Sequence, residues 1–222
     1  MEITTKEVLR YLGYRGVAAN ERVSSLTGEL IDLFSKNVIP KSVYGVWDCK
    51  LDSFTVSLGG VSVKSKNLAK HLTDCSRAVL LAATLGTDAD TLIRRFSVQD
   101  MEKAVIAQGV CAAMIEAYCD SVESEILQEP EFACLYPTSR FSPGYGDFDI
   151  AHQKDILNML NCSRIGVFLT DGYMLTPTKS VTAVIGFSRE KKHTSEFRTS
   201  ELRTGGKCEY CAVKNCKARE AV

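Results

Sequence analysis

The chain has 222 residues with 27 Lys and Arg against 27 Asp and Glu, so its formal net charge is zero, and its hydrophobic content is 45%. This balance is ordinary for a soluble globular protein and excludes a strongly basic nucleic-acid-binding protein. The sequence has no uninterrupted apolar run of about 18 residues that would span a bilayer, and its N-terminus lacks the layout of a signal peptide. We therefore expect a cytoplasmic protein without nucleic-acid or membrane partners.

The first half of the chain predicts two helices followed by a β-meander. Thr4 and Glu7 form a capping-box pattern, and apolar residues recur at helical spacing to about residue 37, before Pro40. Short β-branched and aromatic runs in SVYGVWDCKLDSFTVSLGGVSVKSK, broken by Asp-Ser and Gly-Gly, are typical of antiparallel strands. NLAKHLTDC then predicts a short helix, and RAVLLAATLG predicts a buried strand that stops at a glycine.

The second half contains the longest helical pattern, from about Val98 to Leu127, preceded by a helix over TDADTLIRRF. After Pro130 come the turn TSRFSPGYGD, a helix over roughly 150–160, a short strand over Ile165–Leu169 and a stronger strand over SVTAVIGFS. Regular βαβ alternation is missing, so we predict an α+β fold: a mainly antiparallel twisted sheet with several helices, including one long central helix. We expect residues 1–190 to form this domain, with helices and meander in the N-terminal ~80 residues, and 191–222 to form a polar cysteine-containing tail.

The turn TSRFSPGYGD concentrates one cation and one aromatic ring between two predicted helices. Gly144 and Gly146 permit positive φ and close approach to a ligand, and Pro143 fixes the backbone where the turn begins. Arg140 has a planar fork suited to a carboxylate or phosphate, and Tyr145 offers a flat face and a hydroxyl. The pattern suits a grip on a small zwitterion with a carboxylate and a ring, or a tight helix-to-helix connection that carries a surface arginine.

Acidic residues of the long helix form a second candidate site. Glu116, Asp120 and Glu123 recur at i, i+4 and i+7 and share one helical face. This face is either the solvated stripe of an amphipathic helix or an acidic pocket lining in which Glu116 pairs with an ammonium group. Lys179 and Ser180 lie at the start of the last strong strand, where a lysine is ordinarily solvated.

The nine cysteines fall into two groups, and a disulfide framework is not expected in the cytoplasm. Cys208, Cys211 and Cys216 follow the spacing C-x2-C-x4-C, which suits one metal ion held by thiolates. His193, another cysteine, water or a second chain would complete the site. We predict zinc or an iron–sulfur cluster here, with inert or redox-prone thiols as the alternative. The other six are expected to be small buried hydrophobic residues: Cys49, Cys75, Cys111, Cys119, Cys134 and Cys162.

Four blocks of the chain, in this order and spacing, resemble the activation domain of cobalamin-dependent methionine synthase, and most of all its stand-alone form. They are ATLGTDADTLIRRF, AVIAQGVCAAMIEAYCDSVE, RFSPGYGDFDIAHQKDIL and MLTPTKSVTAVIGF. The resemblance runs from about Leu81 to Phe187, and its most specific element is the Arg-x-x-x-Gly-Tyr block that begins at Arg140. Gly146 departs from the pattern, because a proline stands at this position in the fused synthases.

The resemblance implies a reactivation subunit that binds S-adenosylmethionine. In this family, cob(II)alamin that has become inactive is reduced by a flavodoxin- or ferredoxin-type electron donor and remethylated by S-adenosylmethionine. The chain would thus act as a methyltransferase subunit in methionine biosynthesis, only together with a cobalamin-binding synthase partner and without a catalytic residue of its own. By the family match, Arg140 would hold the ligand carboxylate. The implied S-adenosylmethionine-binding residues are Glu116, Arg140, Phe141, Ser142, Pro143, Gly144, Tyr145 and Ser180.

Two other functions are compatible with the same residues. A metal- or iron–sulfur-bearing reductive activator of another corrinoid methyltransferase would pass electrons through the cysteine tail, and iron in the anaerobically purified protein would favour it. A non-catalytic docking module would only stabilise one conformation of the synthase, and failure to bind S-adenosylmethionine would favour that function.

Overall fold

The structure is a computed structural model that describes residues 3–14 and 18–190, and it confirms the predicted α+β class. Helices flank a six-stranded antiparallel sheet. The helices in the described ranges are α1 (Thr5–Tyr11), α2 (Glu21–Asn37), α3 (Lys66–His71), α4 (Thr87–Gln99), α5 (Met101–Ile126) and α6 (Gln153–Leu160). The strands there are β1 (Lys41–Asp52), β2 (Thr55–Leu58), β3 (Val61–Lys64), β4 (Cys75–Thr84), β5 (Tyr136–Pro137), β6 (Phe168–Leu169), β7 (Leu175–Thr176) and β8 (Ser180–Ser188).

The main sheet has the strand order β3-β2-β1-β4-β8-β5, and all neighbouring strands are antiparallel. The predicted meander is present as β1–β3 and lies at one edge of the sheet. In the middle, β4 pairs with β1 and β8 and is buried on both faces from Ala78 to Thr84, which explains the unbroken apolar run in its sequence. The strands β6 and β7 form a separate two-stranded ribbon.

The long helix α5 covers one face of the sheet. Its 26 residues correspond to a length of about 39 Å. One side of α5 packs on apolar residues of β4 and β8, and its other sides contact α1, α2 and α4. Because it is enclosed on these sides, α5 is largely apolar, apart from a stripe that carries Glu116, Asp120 and Glu123. It is long and apolar enough to cross a membrane, but it is mostly buried inside the protein and is the core helix of this fold.

The opposite face of the sheet is covered by α3 and α6. The two helices pack there against the meander and β4. The contacting side chains are Leu68 of α3, Leu72 just after α3, and Ile156 and Leu160 of α6. Phe148 joins the same core cluster and is 2% exposed. Burial of each such side chain contributes on the order of 1.5–3 kcal/mol. The sheet thus has an α5 face and an α3/α6 face, and the two faces carry separate core clusters.

Three details differ from the sequence predictions. Val98 belongs to α4 rather than to the long helix, because extended Asp100 interrupts the two helices and its side chain accepts from Lys103 N at 3.2 Å. The short strand predicted over Ile165–Leu169 is limited to β6, since a 3-10 turn occupies Cys162–Ile165. Cys134 is exposed whereas the other five scattered cysteines are buried.

Candidate functional site

The chain from β5 to the predicted turn runs along the outer edge of β8. Thr138 N donates to Gly186 O at 2.8 Å, and Phe141 exchanges two backbone hydrogen bonds with Val184 at 2.9 and 2.8 Å. Consecutive side chains of such an extended segment point to opposite faces of the sheet. Arg140 therefore faces α5, and Phe141 faces the α3/α6 side, where it packs against that core cluster.

The Arg140 side chain lies in a cluster of three carboxylates from α5. Its Nη1 donates to Glu123 Oε2 at 2.9 Å, and its Nη2 donates to Glu116 Oε2 at 2.9 Å and to Asp120 Oδ1 at 2.8 Å. The arginine side chain is only 4% exposed, while the three acids are 34%, 32% and 19% exposed in the order Glu116, Asp120 and Glu123. One positive and three negative groups leave an excess of two negative charges. We call these four residues the arginine cluster.

The electrostatics of the arginine cluster keep the guanidinium charged. Burial lowers the pKa of Arg140, but the negative groups around it outweigh burial and hold the pKa above its usual value. Cys119 lies within reach of the same charges, and its burial raises the pKa of the thiol to about 12. Cys119 is therefore a thiol at neutral pH and does not resemble a nucleophile.

The turn Ser142–Gly146 follows Arg140 and Phe141 in the chain and closes through its own backbone. Gly144 N donates to Phe148 O at 2.7 Å, and Tyr145 N donates to Ser142 O at 3.2 Å. Pro143 is buried in this turn, and Gly144 has a φ of 93° that a side chain would disfavour. Tyr145 is 63% exposed, so its ring is available at the surface next to the turn.

Asp147 fastens the turn to the N-terminus of α3. Its carboxylate accepts from Ser65 Oγ at 2.5 Å, Lys66 N at 2.8 Å and Asn67 N at 3.0 Å. The Ser65 hydrogen bond, followed by that from Asn67 N, holds the pKa of Asp147 below its usual value. Gly146 has a φ of 58°, and a Cβ there would lie 2.1 Å from Asn67 Nδ2. The turn therefore requires a glycine at this point to reach α3.

We call residues 138–141, which run along β8, the edge segment. A row of aromatic rings lies on its α3/α6 side, opposite to the Arg140 side chain. Phe141 stacks between His71 and Phe148, with centroid distances of 5.0 and 6.2 Å, and Tyr145 lies 6.4 Å from Phe141. Phe148 in turn contacts the His152 ring at 5.7 Å. These rings set the position of the backbone that carries Arg140.

Of the predicted ligand-binding residues, the structure brings Glu116 of α5 into contact with Arg140, and it places Ser180 elsewhere. Ser180 Oγ lies 2.8 Å from Thr84 Oγ1 and 2.7 Å from Pro177 O. It is four residues from Val184 along β8, a separation of roughly 13 Å in a strand. Glu116 and Arg140 are joined by a hydrogen bond, and the turn is connected to Arg140 by the chain, whereas Ser180 belongs to the start of β8.

The sequence contained a signal for some of these contacts and none for others. The shared helical face of Glu116, Asp120 and Glu123 was visible, but their common partner Arg140 was not. The hydrogen-bond partners of Asp147 lie about 80 residues earlier in the chain, so no local sequence pattern predicts its role. The predicted metal ligands at residues 208, 211 and 216 lie outside the described residues. Within residues 3–14 and 18–190, no group of His, Cys, Asp and Glu is arranged to hold a metal ion.

Comparison with known proteins gives the family. The model of the vitamin B12-dependent methionine synthase activation domain matches residues 69–215. The chain belongs to this family. A crystal structure of the MetH reactivation domain bound to AdoHcy is similar, with a TM-score of 0.61 and 12% sequence identity over 94% of this chain and 84% of that chain. At this identity the likeness establishes the fold alone. A search of curated proteins finds no match.

Proposed function

We propose that the chain is a stand-alone reactivation subunit of a cobalamin-dependent methionine synthase and binds S-adenosylmethionine at the arginine cluster. Family membership supports this proposal and implies a cobalamin-binding partner. The similar reactivation domain is described with bound AdoHcy, the demethylated form of the same ligand. The observation that carries the proposal is the buried Arg140 held against three partly exposed acids of α5.

The charges of the arginine cluster fit those of the ligand. S-adenosylmethionine carries one carboxylate, one ammonium and one sulfonium, so it requires one fixed cation and an excess of acid nearby. Arg140 supplies the fork for the carboxylate, and Glu116 is placed to receive the ammonium. By the family resemblance, the turn from Phe141 to Tyr145, which follows Arg140 in the chain, would form the cradle for the remaining part of the ligand.

This arrangement suits methyl transfer to a corrinoid held by the partner. S-adenosylmethionine supplies the methyl group, and the reduced corrinoid of the partner is the nucleophile, which a flavodoxin- or ferredoxin-type protein regenerates. The chain then needs to bind the ligand, orient its methyl group and exclude water, and it needs no acid–base pair. The three acids of the arginine cluster all accept hydrogen bonds from Arg140.

Calorimetric titration of the full chain with S-adenosylmethionine tests the proposal. We expect binding near one to one, and we expect Arg140→Ala to weaken it by about 10- to 150-fold, equivalent to ~1.5–3 kcal/mol for a charge-assisted hydrogen bond. Arg22→Ala is the matched control. Arg22 of α2 forms a surface salt bridge with Glu102 of α5, the helix that also carries the acids of the arginine cluster. The proposal fails if the wild-type chain does not bind the ligand either alone or with cobalamin-loaded synthase, and the docking function would then be favoured.

The cysteine tail adds a separate proposal of a zinc or iron–sulfur site at Cys208, Cys211 and Cys216, based on their spacing alone. Metal analysis of anaerobically purified protein tests it. We expect a metal in the wild-type chain that is lost in Cys208→Ala and retained in Cys134→Ala, which removes an exposed thiol elsewhere. Equal metal content in both variants would refute the assignment.

A further inference from the structure

The Nη2 nitrogen of Arg140 has carboxylate acceptors for both of its hydrogens. It donates to Glu116 at 2.9 Å and to Asp120 at 2.8 Å, while Nη1 donates to Glu123 at 2.9 Å. A terminal guanidinium nitrogen carries two hydrogens. Any further acceptor on Nη2 therefore competes with Glu116 or Asp120.

A carboxylate that grips a guanidinium with two parallel hydrogen bonds needs this nitrogen. The fork offers two edges, one formed by Nε and Nη2 and the other by Nη1 and Nη2. Both edges include Nη2. A ligand carboxylate cannot take the bidentate geometry at Arg140 while Glu116 and Asp120 keep their present hydrogen bonds.

We propose that Asp120 competes with the ligand carboxylate for Arg140 Nη2, so that the amino-acid end of the ligand binds by exchange of counter-ions. This inference rests on the proposed function, because it requires a ligand with a carboxylate. Glu116 is the proposed partner of the ammonium, which makes Asp120 the acid without a role toward the ligand. Asp120 is 32% exposed and is hydrated when displaced, whereas Glu123 is 19% exposed and holds Nη1.

The exchange makes the arginine cluster selective for α-amino acid ends. The cluster carries an excess of two negative charges, and a carboxylate without an ammonium would raise that excess to three. A zwitterionic end leaves it unchanged, because its ammonium compensates the carboxylate that it brings. Simple organic acids are therefore repelled from an arginine that would otherwise attract them.

The test compares S-adenosylmethionine with decarboxylated S-adenosylmethionine, which keeps both cationic centres and lacks only the carboxylate. For each protein, calorimetry gives the ratio of the two dissociation constants, decarboxylated over intact. Asp120→Asn removes the competing charge with little change of shape, so we expect this ratio to rise by about three- to tenfold. Glu125→Gln is the matched control, since it removes one exposed acid of α5 outside the arginine cluster, and its ratio should equal that of the wild-type chain.

The outcomes separate this inference from the proposed function. If the wild-type chain binds both ligands and the ratio is unchanged or lower in Asp120→Asn, the exchange is refuted and the proposed function stands. If the wild-type chain binds neither ligand, both are refuted. Circular dichroism establishes that the variant is folded, and Asp120→Ala provides the same comparison if Asp120→Asn does not fold.

Discussion

Arg140 and Phe141 are consecutive residues with opposite surroundings. Arg140 faces α5 and three partly exposed acids, whereas Phe141 faces a row of rings that merges with the α3/α6 core. Successive side chains of an extended backbone point to opposite faces, so two neighbouring residues face the two sides of the sheet. The aromatic side packs the segment that carries Arg140 against the core, and the charged side presents the groups that we propose to recognise a ligand. Substitutions on the two sides should therefore have different consequences.

The largest loss of stability is expected on the aromatic side. Phe148 is 2% exposed and packs on both Phe141 and His152. Phe148→Ala should lower the free energy of unfolding by about 3–5 kcal/mol, as expected for a large-to-small change in a core. Urea unfolding measures this, with Phe168→Ala as control, because Phe168 is 55% exposed. A loss below about 1 kcal/mol would contradict the view that this side positions the segment.

On the charged side, Arg140→Met should cost less stability and should depend on salt. Methionine fills much of the space but leaves three acids without their cation, and these acids are 19–34% exposed, so water and ions reduce their repulsion. We expect a loss of about 1–3 kcal/mol that shrinks when salt is raised to about 0.5 M. The control Arg22→Met breaks a surface pair and should change stability by less than about 1 kcal/mol. A loss independent of salt would locate the effect in packing instead.

The turn that joins the two sides offers a backbone test. Gly146→Ala places a Cβ 2.1 Å from Asn67 Nδ2 at a φ of 58°, and we expect a loss of about 1–2 kcal/mol from strain and displacement of Asn67. Gly28→Ala is the control, and we expect it to change stability in the opposite direction. Gly28 lies within α2 with open space around it, so this change should stabilise the protein by about 0.5–1 kcal/mol. Thermal unfolding of both variants decides, and a neutral Gly146→Ala would show that Asn67 simply turns away.

The fold class was predictable because its main signals are local. The apolar run of β4, the small apolar residues of α5 and the broken runs of the meander each identify one element by periodicity or composition. The strand order did not follow from them, since β4 pairs with β1 and with β8, and the residues that pair between β4 and β8 are about 100 positions apart in the chain. The two-residue strands β5 and β7 have no periodicity to detect.

The site was only partly predictable for the same reason. Arg140 and the acids of α5 were recognised as candidates, but as separate ones. They meet because the segment that carries Arg140 pairs with the edge of β8, and the sequence does not show this pairing. Ser180 was grouped with them by family resemblance, and the structure places it at the start of β8. Asp147 was missed, since an aspartate in a turn is ordinary until its partners at the N-terminus of α3 are known.

The smallest expected effect concerns the anchor of the turn, and it depends on pH. The pKa of Asp147 is lowered in the folded chain, so its ionised form stabilises the fold above the unfolded pKa of about 3.9. This contribution is lost as the pH falls through the lower, folded pKa. Asp147→Asn replaces one acceptor oxygen by an NH₂ group, which only donates, so Lys66 N and Asn67 N, which now donate to different oxygens, cannot both keep their acceptors. We therefore expect Asp147→Asn to have a lower thermal midpoint than wild type at pH 7, and this difference should vanish at pH values below the folded pKa of Asp147. The control Asp171→Asn, in the β6–β7 connection, should have the same midpoint as wild type. A gap that persists in acid would mean that Asp147 holds the turn by shape rather than by charge.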